Sequence, residues 1–219
     1  MKAFLDHQID IEKIGSQLNE LQGLLESKTE LSEKHDLSPF FKGRPDLISF
    51  VGHLHPGITK SDKFAYEYDI FGDFSSDFTV GDSRRNSYCF IELEDAREKS
   101  IFRNTGRATP DWSPRFEHGY SQIIDWSYKL DDMEKSDTFE ERFGARSIDS
   151  FSILIIGRSQ FLSAQDERRL RWRERHVVVR SQQIRCLTYD ELLTELKEIF
   201  SIYSLAYAAE EEVIDVEDQ

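Results

Sequence analysis

The 219-residue chain is predicted to fold as an α/β domain with an antiparallel hairpin at the start of its sheet. Three observations lead there. Helical periodicity marks residues 1–28, 116–130, 164–175 and 188–206. Three short extended runs fall between residues 64 and 94. Residues 151–156 (FSILII) form a nearly continuous apolar run, as expected of a strand buried on both faces.

In residues 1–28, Ile11, Ile14, Leu18, Leu21 and Leu25 recur at three- and four-residue intervals, the apolar seam of a helix. Two readings are open: packing on its own domain, or a short coiled-coil contact with a second copy, although two heptads fall short of a sustained run. A second helix is expected over 30–41, and Pro45 and Pro56 punctuate loops around 46–51. The pattern then turns extended. Residues 64–71, 74–80 and 88–94 read as strands, with Gly72 separating the first two and GDSRRN (81–86) turning between the second and third. Residues 103–114 form a loop rich in turn formers, a helix follows over 116–130, and the charged stretch 131–147 is read as irregular. After 151–156 come a basic helix at 164–175, a strand at 176–180, and a short strand at 184–187. The last leads into a helix whose start is marked by Thr188 with Glu191 three residues on, the capping-box pattern. That helix is expected to reach about Ala206, with an acidic, disordered tail over 208–219. The division is thus an N-terminal helix (1–28), a main domain (29–207) and the tail.

Composition narrows the classes. With 38% hydrophobic and 12% aromatic residues the chain can fill a core. No apolar run approaches the ~20 residues of a membrane span, and MKAFLDHQIDIEK contains no signal-peptide core, so a cytoplasmic protein with no membrane partner is expected. Cys89 and Cys186 lie in apolar runs and are expected as buried thiols. The net charge of −14 is uneven. Residues 210–218 carry six acids and no base, whereas 158–185 hold eight arginines against three acids. Local charge governs phosphate binding, so nucleic acid is not excluded. Within ERRLRWRER (167–175), Arg168, Arg171 and Arg175 recur at helical spacing. They form either a stripe against phosphates or a solvated face paired with the chain's own acids.

The strand YCFIELED (88–95) ends in acids. If 74–80 and 88–94 pair across the turn, Asp77 falls opposite Glu92, and a period of two puts Glu92 and Glu94 on one face. Three converging carboxylates repel one another unless a cation neutralises them. Oxygen ligands of this kind suit Mg²⁺ or Mn²⁺, which would activate water and stabilise charge on a phosphoryl group. The other reading is a solvated strand end without a ligand.

Asp77 in SSDFTV, Glu92 in FIELED and Gln122 in GYSQIIDW together resemble the PD-(D/E)XK nuclease pattern. With IELEDA, ILIIGRSQ and IRCLTYDELL, the chain resembles, over roughly residues 30–205, the Shedu-type nuclease domain of bacterial anti-phage defence. The resemblance implies a restriction-endonuclease-like core, a mixed central sheet flanked by helices, and a Mg²⁺-dependent endonuclease acting on DNA, commonly as a homo-oligomer. It makes Asp77 and Glu92 metal ligands and Gln122 a helix residue supporting the site. Glu94 stands where the pattern has lysine. A glutamate there cannot supply positive charge, but superfamily members with an ExE variant use the second glutamate for metal or water. The alternative the resemblance leaves is a catalytically degenerate fold that binds DNA or a protein partner. Glu33, on the early helix, is a further candidate acid or a solvated position.

Other patterns carry less. His53 and His55 (HLHP) lack a third ligand for zinc. No Walker A, dinucleotide fingerprint or nucleophile elbow occurs. Trp112, Trp126 and Trp172 are expected as core or half-buried anchors.

Overall fold

The structure, a computed structural model, describes residues 3–217, with side chains to residue 204. The chain is an α/β protein whose mixed seven-stranded sheet is flanked by helices on both faces. In chain order the elements are β1 (Leu5–Asp6), α1 (Ile11–Ser27), a π-helical turn (Glu33–Leu37), α2 (Ser38–Lys42), α3 (Pro45–Val51), β2 (Lys63–Ile70), β3 (Phe74–Asp82) and β4 (Ser87–Leu93). Then follow β5 (Phe102–Arg103), β6 (Asp111–Trp112), α4 (Pro114–Met133), α5 (Asp137–Phe143), β7 (Asp149–Ile155), α6 (Ala164–His176), β8 (Val178–Val179), β9 (Gln182–Leu187) and α7 (Tyr189–Glu217). The helix expected to end near Ala206 runs to Glu217, so the disordered tail expected over 208–219 overlaps α7 as far as that residue, and 218–219 lie outside the described residues.

The sheet order is β1-β2-β3-β4-β7-β9-β8. The strands β1 to β4 pair antiparallel, and β4, β7 and β9 run parallel. The hairpin has the expected register: Phe78 faces Ile91 and Val80 faces Cys89, which carries Asp77 beside Glu92. Along β4 the residues alternate between two cores. Cys89, Ile91 and Leu93 pack with the apolar side chains of α1, α3 and α7. Tyr88 and Phe90 pack with those of α4, α5 and α6. By that period Glu92 and Glu94 belong to the α4 face.

The α1 seam is filled within the chain: Ile14, Leu18, Leu21 and Leu25 are buried, and α1 contacts α3 and α7. This leaves the coiled-coil reading without its apolar seam. No helix among the described residues is long and apolar enough to cross a membrane.

Four expectations are corrected. Residues 46–51 are helical, because Pro45 sits in the first turn, where its missing N–H costs nothing, rather than breaking the chain. The stretch read as irregular contains α5, started by the Ser136 hydroxyl accepting from the Phe139 N–H and ended by Gly144 at φ +73°. The 103–114 loop carries the small β5–β6 hairpin. The strand at 176–180 shrinks to Val178–Val179, since α6 continues to His176 and Arg180 and Ser181 form the tight turn into β9, both with positive φ.

Candidate active site

The site lies where β4 ends. Glu94 prolongs the parallel ladder by donating its N–H to the Ile155 carbonyl at 2.9 Å. The chain behind it is tied on both sides. The Ala96 N–H donates to Leu31 O (3.0 Å), the Gly157 N–H donates to Asp95 O (3.0 Å), and the Tyr189 hydroxyl donates to Glu94 O (2.9 Å). Gly157 makes its turn at φ +73°, which a residue with a Cβ rarely adopts. Apart from the Leu31 bridge, these tethers come from the ILIIGRSQ and LTYDELL segments, so both motifs hold the acidic strand end from the rear.

On the front, α4 delivers its first turns. The Ser113 hydroxyl accepts from the Phe116 N–H and Pro114 opens the helix. Gly119 allows the close approach. A Cβ there would stand 2.8 Å from Leu154 Cδ1 and 3.2 Å from Glu94 Cγ and Oε1.

Glu92 is 6% exposed and Glu94 2%. Asp77 is half-buried, and one of its oxygens accepts from the Leu93 N–H at 2.8 Å. Across the sheet from Asp77, Glu67 takes φ +47°, strained for a residue with a side chain. Glu33 also enters the cluster, from the π-helical turn. Its N–H donates to Asp95 Oδ1 at 2.7 Å. The sequence offered it as a solvated position or a further acid, and its field reaches Asp77, Glu92 and Glu94.

The electrostatics follow from burying acids together. Burial raises the Asp77 carboxyl, against the Leu93 N–H, and Glu33 raises it further. Burial also raises Glu92, the more strongly displaced of this coupled pair, with added repulsion from Asp77, Glu94 and Glu33. Burial pushes Glu94 up to about 8 although Arg115 opposes it, and Glu33 adds to the rise. Glu33 is raised by burial against the pull of Arg115.

Arg115 is the residue that sequence reasoning missed. From the first turn of α4 its Nη1 stands 2.8 Å from Glu94 Oε2 and 3.3 Å from Glu33 Oε2, and its Nη2 donates to Asp95 Oδ2 at 3.0 Å. Glu94 is 2% exposed, and Arg115 is the cation that its Oε2 meets. One guanidinium therefore answers several carboxylates, which leaves a surplus of negative charge. A P-R-F-E helix start gives no hint of this, because the contact spans some twenty residues of chain.

The remaining candidates sit as follows. Gln122 is half-buried on α4, one turn beyond Gly119, and its side chain makes no hydrogen bond among the described residues. Arg171 turns inward, donating to Cys186 O at 2.7 Å, while Arg168 and Arg175 are exposed. His53 and His55 are engaged by backbone carbonyls, those of Phe50 and Asp149, at 3.2 Å each. Cys89 and Cys186 are buried free thiols. Trp126 is buried and Trp112 half-buried, but Trp172 is 61% exposed, contrary to expectation, because helix phase turns it away from Leu170 and the core.

A pH dependence follows from Glu94. Its folded value lies above the ordinary 4.5, so between 4.5 and about 8 the folded state binds more protons than the unfolded state. The stability it contributes is complete below 4.5 and is lost as pH rises through about 8. In chelator, the thermal midpoint is expected to fall from about pH 5 to about pH 9, and Glu94→Gln to flatten that fall.

Among the described residues no three His, Cys, Asp or Glu side chains already stand as ligands of one metal ion. Two of the acids explain why: Asp77 is turned to the Leu93 N–H and Glu94 to Arg115. The comparison with curated proteins finds no match. The family model for the C-terminal part of the Shedu protein SduA matches residues 30–193, spanning the acids, α4 and the rear tethers, and the chain belongs to that Shedu defence-system family.

Proposed function

We propose that the chain is a metal-dependent endonuclease of the PD-(D/E)XK type that cleaves DNA phosphodiester bonds in anti-phage defence. The observation that carries this is the surplus of carboxylates gathered around the end of β4, each raised in proton affinity by burial and then by its acidic neighbours. Such a group is stabilised by protons or by a hard divalent cation. The residues fit Mg²⁺ or Mn²⁺ in donor chemistry, since the set offers carboxylate oxygens, the hard donors these cations take, and one guanidinium is shared among several of them. Asp77 and Glu92 would hold the cation, which supplies Lewis acidity and a bound water of lowered pKa. Glu94 would orient that water, and Gln122 would support the site from α4. The Tyr189 hydroxyl and the Gly157 N–H keep the strand end in place while the acids change partners.

Arg115, 42% exposed, sits at the mouth of the cluster, and its guanidinium can turn to a phosphate. It would supply the positive charge that Glu94 cannot. Arg115→Gln is expected to lower cleavage about 10- to 100-fold, with Arg115→Lys recovering part of it. Single-turnover cleavage of a labelled duplex checks this, and equal rates in wild type and Arg115→Gln would remove Arg115 from the site.

The direct test is DNA cleavage by the full chain with Mg²⁺ or Mn²⁺, with chelator, and with Glu92→Gln. Cleavage that survives both chelator and Glu92→Gln refutes the assignment. A second reading, a degenerate fold that binds DNA or a protein partner, draws on the engaged state of Asp77 and Glu94 and the lack of a ready metal-ligand set. DNA retention without metal-dependent cleavage favours it.

A further inference from the structure

The structure splits the arginine-rich helix α6 into two faces. Arg169 and Arg173 turn inward with Arg171: Arg169 donates to Pro110 O and lies over Phe102, while Arg173 is held by both oxygens of Glu117 and lies over Tyr120. The outward face is Arg168, Trp172, Arg175 and His176, positions that share one side of a helix. The Trp172 indole is stacked with His176, centroids 4.7 Å apart at 14°. Shallow clefts flank it on both sides. One of about 390 Å³ lies toward Trp112, Arg169 and Arg173, and one of about 490 Å³ lies toward Arg168 and Arg175. Among the described residues the ion pairs of α6 leave Arg168 and Arg175 out, although the chain carries a net charge of −14.

We propose that this face binds single-stranded nucleic acid, with unpaired bases stacking on Trp172 and phosphates meeting Arg168 and Arg175. An exposed indole beside two guanidinium groups that make no ion pair among the described residues suits a chain that is aromatic and anionic at once. An apolar protein partner would find cations around the ring, and a duplex keeps its base faces inside the stack. The face also connects with the acidic cluster. Trp112 lines the first cleft and stands three residues before Arg115, so the start of α4 has the acids on one side and the cleft on the other. Under the proposed function the strand is DNA, and this inference deepens that reading by naming unpaired DNA beside the cut. Binding is read without cleavage, so the two stand or fall separately.

The test is fluorescence anisotropy of a labelled oligo-dT with the full chain in chelator, beside a duplex of equal length. Oligo-dT should bind more tightly than the duplex and quench tryptophan emission. Trp172→Ala should weaken it roughly tenfold, while Trp172→Phe keeps most of the affinity. Arg168→Gln with Arg175→Gln should lower the salt slope by about 1 to 2. Unchanged melting temperatures would establish that the variants fold, as expected at exposed positions. Undiminished binding by Trp172→Ala, equal binding of duplex and oligo-dT, or no binding overturns the proposal. So does a Trp172→Ala variant that changes only the oligomeric state in sedimentation, which would make this face a contact between copies. Oligo-dT binding by a wild type that never cleaves DNA would keep this face and remove the nuclease reading. Cleavage with unaltered binding by Trp172→Ala would do the reverse.

Discussion

Glu92→Gln is expected to lower metal-dependent cleavage by about 10²- to 10³-fold or more while making the metal-free protein more stable. Both halves come from one arrangement. Glu92 is 6% exposed, adjoins Asp77 across the hairpin, and feels Glu94 and Glu33 as well. Burial and repulsion together hold its carboxyl far above the usual carboxylate range. An amide of the same size removes the repulsion and the anionic ligand together. The gain should be about 0.5–2 kcal/mol near pH 8, of the size seen when a functional site's internal conflict is relieved. Urea unfolding in chelator measures one half and single-turnover cleavage the other. A variant that is inactive and also less stable would show that Glu92 serves the fold, with activity lost through unfolding.

The second large effect is expected at Arg158, far from any reacting group. Its side chain is 8% exposed. Nε donates to both Asp190 oxygens at 3.1 and 3.0 Å, and Nη1 donates to the carbonyls of Leu25 (3.0 Å) and Lys28 (3.2 Å). One guanidinium thus joins the end of α1 to the start of α7 and to the turn after β7. The same turn sends the Gly157 N–H to Asp95 and the Ser159 N–H to Asp190. Arg158→Ala leaves Asp190 and two carbonyls short of donors and should cost about 3–5 kcal/mol, a large part of the roughly 5–15 kcal/mol that holds a domain together. Arg158→Lys should recover little, since one ammonium cannot reach partners on three sides as a planar fork does. A loss under about 1 kcal/mol would reduce the contact to an ordinary surface salt bridge.

The hairpin register was legible because the turn formers of GDSRRN sit between two strands of clear pattern and centre the turn on Arg84 and Arg85, and register then fixes which side chains face each other. The start of α7 was legible for a local reason too: Thr188 and Glu191 exchange hydrogen bonds as their spacing implies. Arg115 was not legible, because its meeting with Glu94 depends on how closely α4 approaches, which Gly119 decides. Nor was the division of α6. Helical spacing grouped Arg168, Arg171 and Arg175, but the exact phase, set by buried Leu170 and by the Cys186 carbonyl, turns Arg171 in and Trp172 out. For Glu33 the sequence left two readings open, and the Leu31–Ala96 bridge that brings its turn beside the acids decides between them.

The measurement that bears most directly on the central claim is the position of a divalent cation in crystals of the full chain soaked in Mn²⁺, located by its anomalous scattering. One peak bound by Asp77 and Glu92 is expected, with Glu94 within reach through a water, and no peak there in Glu92→Gln. A site without manganese, or manganese bound only away from these three carboxylates, would contradict it.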